Sequence, residues 1–125
     1  MNKHILLIDD SDAANQINKY HFNKAGFVDI AIAKNGQEAL KHLKSNLNHL
    51  PELIMLDISM PVMNGFEFLE ELRKSFPIKA KVPKILMLTS SESHIDLAKA
   101  KKNDLVTEYV NKPINHSKII KKYFG

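Results

Sequence analysis

Five residues that could do chemistry stand at the ends of short apolar runs. Asp9 and Asp10 follow ILLI, Asp57 follows LIML, Thr89 follows ILML, and Lys112 comes just after the run that ends at Val110. If the fold brings these ends together, three carboxylates share one place. Two like unit charges 4 Å apart repel by about 4 kcal/mol at an effective dielectric near 20. Such a group implies a bound cation, a shifted pKa, or both. There is no Cys in the chain and no His beside these residues, so the ligands on offer are oxygens. An all-oxygen set favours Mg²⁺, and Mn²⁺ would substitute. Mg²⁺, a carboxylate, a lysine and a hydroxyl together make a phosphoryl-transfer set. The carboxylate attacks as nucleophile, and the cationic groups neutralise charge on the moving phosphoryl oxygens. Any one of these acids alone reads as an Asx turn or helix cap; all of them at strand ends do not.

The elements that must position them follow from the pattern. His4 to Ile8 reads as a strand. Asp12 to Ala25 reads as a helix capped by Ser11 or Asp12, with an apolar stripe of Ile17, His21, Phe22 and Ala25, and stopped by Gly26. A strand over Val28 to Ala33 and a helix opening at Asn35-Gly36 come next, the helix facing inward with Ala39, Leu40, Leu43 and Leu47. Leu53 to Leu56, Lys84 to Leu88 and Leu105 to Val110 read as strands. Gly65 to Ser75, Glu92 to Asn103 and Asn115 to Tyr123 read as helices. Strands of four to six apolar residues alternating with helices belong to a parallel sheet covered on both faces. The expectation is an α/β fold: a flavodoxin-like (βα)5, doubly wound parallel sheet of five strands in the order 2-1-3-4-5. Right-handed crossovers then point every strand the same way, and the strand C-termini form one ligand-binding edge. Lys34-Asn35, after the second strand, should lie off to the side.

The chain has 125 residues, which fits one domain. No apolar run approaches the roughly 20 residues of a membrane span, and the short run at residues 5–8 is too brief for a signal peptide. A cytoplasmic location and no membrane association are expected. The net charge of +4 sits wholly in residues 94–125, which carry seven lysines and three acids. No nucleic-acid motif accompanies it, so a solvated face is expected and nucleic acid is not. The six histidines are scattered, with no pair at metal-ligand spacing, and read as surface or packing residues.

With these residues in place, the sequence resembles the receiver domains of two-component response regulators over essentially its whole length. ILLIDDSD at 5–12 is similar to the family's acidic pair. LIMLDISMPVMNG at 53–65 is similar to its most specific motif. NGQEAL at 35–40, ILMLTS at 85–90 and YVNKPI at 109–114 resemble its remaining segments. The resemblance implies that Asp57 is the phosphoacceptor and that Asp10, Asp57 and the backbone carbonyl of Ser59 bind Mg²⁺ directly, Asp9 acting mainly through water. It implies that Lys112 contacts the phosphoryl group and is joined to Pro113 by a cis peptide. It implies that Thr89 swings toward the phosphoryl group while Tyr109 rotates inward, carrying the signal to the face made by the fourth helix, fifth strand and fifth helix. Ser59 and Ser91 hold positions that line access to the phosphoryl group in the family. One departure is clear: Leu105-Val106 replaces the family's frequent Gly-Ala, and Asn103 or Asp104 would have to supply a left-handed turn.

The resemblance implies a stand-alone receiver over residues 1–125 without an output domain. It would take its phosphoryl group from a histidine kinase or histidine phosphotransfer protein. It would act by binding a downstream protein, as a monomer or a weak phosphorylation-dependent dimer, turning over no separate substrate. A haloacid-dehalogenase-type phosphatase would place an Asp two residues after the nucleophile, where Ser59 stands. A flavin binder would need a phosphate-cradling loop where Asp9-Asp10-Ser11-Asp12 stands.

Overall fold

The computed structural model describes residues 3–58, 60, 63–75, 83–89 and 104–125. In chain order these form β1 (His4–Ile8), α1 (Asp12–Lys24), β2 (Asp29–Ala33), α2 (Gly36–Ser45), β3 (Leu53–Asp57), α3 (Gly65–Ser75), β4 (Lys84–Thr89), β5 (Glu108–Asn111) and α4 (His116–Phe124). The helix expected over Glu92 to Asn103 lies outside the described residues, as do Ser59, Ser90 and Ser91.

The strands pair in parallel in the order β2-β1-β3-β4-β5, as expected. Alternate side chains of each strand enter opposite layers, because a strand has a period of two. Leu6, Ile8, Ile54, Leu56, Ile85 and Met87 meet α2 and α3 through Leu40, Leu43, Phe68 and Leu69. Ile5, Leu7, Leu53, Met55, Leu86 and Leu88 meet Phe22, Phe27 and Ile119 on the other side. Burial on both faces is why these strands are continuously apolar rather than alternating.

The helix boundaries have local causes. The Ser11 hydroxyl accepts the Ala14 N–H at 3.1 Å, and Asn35 and Asn115 cap α2 and α4 the same way. Asn64 accepts from the Glu67 N–H while Glu67 accepts from the Asn64 N–H, a reciprocal box that starts α3. Two residues past Lys24, the last residue of α1, the chain leaves the helix through Gly26, whose φ of 101° is open to glycine. Its N–H reaches the Asn23 carbonyl, the Phe27 N–H reaches the Phe22 carbonyl, and the two Phe rings meet edge to face.

Several expectations need correction. The buried stripe of α1 is Asn15, Asn18 and Phe22, whereas Ile17 is exposed, as are His21 and Ala25. The two asparagines have polar partners inside, which local hydrophobicity does not register. Leu47 is exposed because α2 ends at Ser45. β5 begins at Glu108, and Leu105 and Val106 pack against the core ahead of it. Asp104 does not adopt a left-handed backbone; it pairs with Arg73.

Candidate functional site

β1 and β3 are neighbours at the centre of the sheet, so the loops after them open at the point where the chain's winding reverses. Asp57 is the last residue of β3 and Asp9 the first after β1. Both are buried, at 7% and 3% exposure, while Asp10 is exposed. One carboxylate oxygen from each of Asp9, Asp10 and Asp57 lies within 4.8 Å of the other two. Lys112 reaches in from the end of β5, its Nζ 3.5 Å from Asp57 Oδ1 and 3.9 Å from Asp9 Oδ2. The Lys112 N–H donates to the Thr89 carbonyl at 2.9 Å, tying the β4 and β5 ends together, and Lys112-Pro113 is cis. Thr89 is buried at the same edge. Tyr109 is half-buried, beside Met87 in the register, against the α2–α3 side of the core.

Asp9 combines an Asx turn with a second task. Its Oδ1 accepts the Ser11 N–H at 2.9 Å, the i to i+2 bond of an Asx turn. Its Oδ2 is enclosed without a hydrogen-bond donor and faces Lys112 only at ion-pair range. Burial is the main cause that pushes the Asp9 carboxyl above the usual carboxylate range; the Ser11 N–H and Lys112 oppose it and Asp10 adds to it. An enclosed carboxylate oxygen without a donor, beside two more carboxylates, fits a hard divalent cation. The loop after β3 is drawn tight against this group. The Gly65 N–H donates to the Ile58 carbonyl at 2.9 Å, and a Cβ on Gly65 would lie 3.0 Å from the Asp57 carbonyl oxygen and 3.1 Å from Ile58 Cα.

Asp9, Asp10, Asp57, Thr89 and Lys112 therefore gather as their strand-end positions implied, while Ser59 lies outside the described residues. Lys34 stands aside, paired with Asp12 at 3.0 Å. Sequence reasoning missed Asn15, whose side-chain amide donates to the Asp9 carbonyl at 2.8 Å, and Asn18, whose Oδ1 meets His116 Nε2 at 2.8 Å. Asparagines on a helix leave no hydrophobic signal, and their partners lie on other elements. Sequence reasoning also missed that His4 and His49 meet Asp29 while His42 meets His4. Those contacts span 20 to 38 residues of sequence, so no local spacing announces them.

Among the described residues no helix is long and apolar enough to cross a membrane. The model of the response regulator receiver domain family matches residues 5–124. The chain is 35% identical over 96 residues to the alkaline phosphatase synthesis transcriptional regulatory protein PhoP of Bacillus subtilis, covering 77% of this chain but 37% of PhoP. It is 29% identical over 120 residues to the chemotaxis protein CheY of Thermotoga maritima, covering 96% of this chain and 93% of CheY. A two-component response regulator from Cytophaga hutchinsonii superposes with a TM-score of 0.86 at 29% identity, over 98% of this chain and 94% of that one. The chain belongs to the response regulator receiver domain family, the phosphoryl-accepting module of two-component signalling.

Proposed function

We propose that this protein is a Mg²⁺-dependent phosphorylation switch with Asp57 as phosphoacceptor. The observation that carries the proposal is the Lys112 ammonium 3.5 Å from Asp57 Oδ1, within a cluster of three carboxylates at the strand edge. Asp10, Asp57 and the Ser59 backbone carbonyl are the residues that would hold Mg²⁺, with Asp9 acting through water. A bound ion would supply charge neutralisation for the incoming phosphoryl oxygens.

An Asp57 carboxylate oxygen attacks the phosphorus of a phosphohistidine on a histidine kinase or phosphotransfer protein. The new O–P bond forms as the P–N bond breaks, and its electron pair leaves with the histidine. The Lys112 side chain pairs with the phosphoryl oxygens. The product carries close to two negative charges where the Asp57 carboxylate carried one, and it presents three strong acceptors. The Thr89 hydroxyl turns to donate to one of them, and Tyr109 follows into the space behind it, shifting the population of two states. The readout face includes β5 and α4, where a shallow cavity of about 230 Å³ is lined by Glu108, Tyr109, Asn111, Lys118 and Lys122, among others. A downstream protein binds there.

The test is intact-protein mass after incubation with acetyl phosphate, with and without Mg²⁺. Wild type should gain one phosphoryl group only with Mg²⁺, and Asp57→Asn should gain none. Thr89→Ala should still be phosphorylated but lose the change in partner binding. Uptake by Asp57→Asn equal to wild type would overturn the assignment.

A further inference from the structure

The N-terminal ends of the strands carry a second cluster. His4 opens β1, Asp29 opens β2, and the register places them side by side. His42 comes from the last turns of α2, and His49 from the turn that follows it. His4 Nδ1 lies 3.2 Å from the Asp29 carboxylate and 3.2 Å from the Asp29 carbonyl oxygen. His49 Nε2 lies 2.5 Å from Asp29 Oδ2, and the His4 and His49 rings stack with centroids 5.0 Å apart. One ligand atom from each of His4, Asp29 and His49 falls within 4.8 Å of the other two.

The third histidine, His42, makes the proton count informative. His4 Nε2 meets His42 Nε2 at 3.0 Å, so one of the two nitrogens must carry a proton. If His42 carries it, His4 Nδ1–H donates to Asp29 and the network closes on itself. If His4 Nε2 carries it, His42 accepts, and in the neutral ring the His4 Nδ1 lone pair faces the oxygens of Asp29. That second arrangement is one in which a cation belongs. It is also the usual state of a metal-bound histidine, whose other ring N–H donates to an outer partner.

We propose that His4 Nδ1, His49 Nε2 and an Asp29 carboxylate oxygen form a second metal site, for a divalent transition ion of the zinc type, with His42 as the outer partner of His4. Two imidazoles and one carboxylate suit zinc and its neighbours rather than Mg²⁺. His49 and Asp29 are 58% and 41% exposed, so ions reach the site and water can complete the coordination. The bound ion would join the start of β1, the start of β2 and the turn after α2. It lies at the opposite end of the strands from Asp57 and shares no residue with that site.

The test is Zn²⁺ titration of the full chain by calorimetry in excess Mg²⁺, which occupies the acidic edge. One Zn²⁺ should bind, and the His4 and His49 ring ¹⁵N resonances should shift. The exposed His49→Ala should bind at least about 10-fold more weakly. His42→Gln, by loss of the outer partner, should bind about 10- to 100-fold more weakly. Asp57→Asn should bind Zn²⁺ as wild type does. No Zn²⁺ binding, equal binding by His49→Ala, or binding lost in Asp57→Asn would each overturn the proposal. The ring shifts in wild type decide the matter should His42→Gln fold poorly.

Discussion

Replacing Asp9 by Asn tests whether the acidic edge is under electrostatic load in the metal-free protein. Asp9, Asp10 and Asp57 each bring an oxygen within 4.8 Å of the others. At that separation each like pair repels by about 3.5 kcal/mol at an effective dielectric of 20, and by about 1 kcal/mol in bulk water. Lys112, 3.9 Å from Asp9, returns about 4 kcal/mol at the first limit and about 1 kcal/mol at the second. The Lys112 side chain is 39% exposed and Asp10 is exposed, so the effective screening lies between these limits. Two repulsions against one attraction leave a net relief of about 1–3 kcal/mol when the Asp9 charge is removed. Relief of the desolvation that raises the Asp9 carboxyl has the same sign. An asparagine keeps the acceptor that Ser11 uses, so the turn survives. Metal-free Asp9→Asn should therefore melt about 3–10 °C above wild type, followed by circular dichroism in EDTA. Mg²⁺ should then raise wild type more than the variant and narrow the gap, because only the native acidic set binds it fully. A variant that melts below wild type in EDTA, or that gains as much from Mg²⁺, would refute the reasoning.

Two further outcomes are expected. Gly65→Ala should cost about 1–3 kcal/mol in urea unfolding, because its Cβ would press on the Asp57 carbonyl and Ile58 Cα rather than on a movable side-chain tip alone; it should also slow phosphoryl uptake by moving the Asp57 backbone. His116 packs under α1, bonded to Asn18 and stacked on His21, and burial, with His21 adding, pushes its ring down from 6.5 to about 4. A lowered histidine stabilises fully above its unfolded value and loses that contribution as pH falls toward its folded one. From about pH 7.5 to about pH 5 wild type should thus lose about 2 kcal/mol more than His116→Gln, read from urea midpoints; parallel losses would show that His116 is not the responsible group.

Much of this molecule is determined locally, and much of it is not. Apolar runs of strand length, Ser11, Asn35, Asn64 and Asn115 as caps, and Gly26 as a stop act over one to five residues, so the sequence alone determines the element order and the parallel sheet. It determines the acidic edge as well, because a parallel sheet sends every strand's C-terminal residue to one side. Tertiary structure alone decided which face of α1 is inward: Asn15 and Asn18 are buried because Asp9 and His116 answer their hydrogen bonds, and those partners come from other elements. It alone decided that Leu105 and Val106 serve the core as loop residues. It alone brought His4, His42, His49 and Asp29 together, since side-chain proximity across 20 to 38 residues is set by strand register and by the turn after α2, neither of which leaves a mark in local spacing.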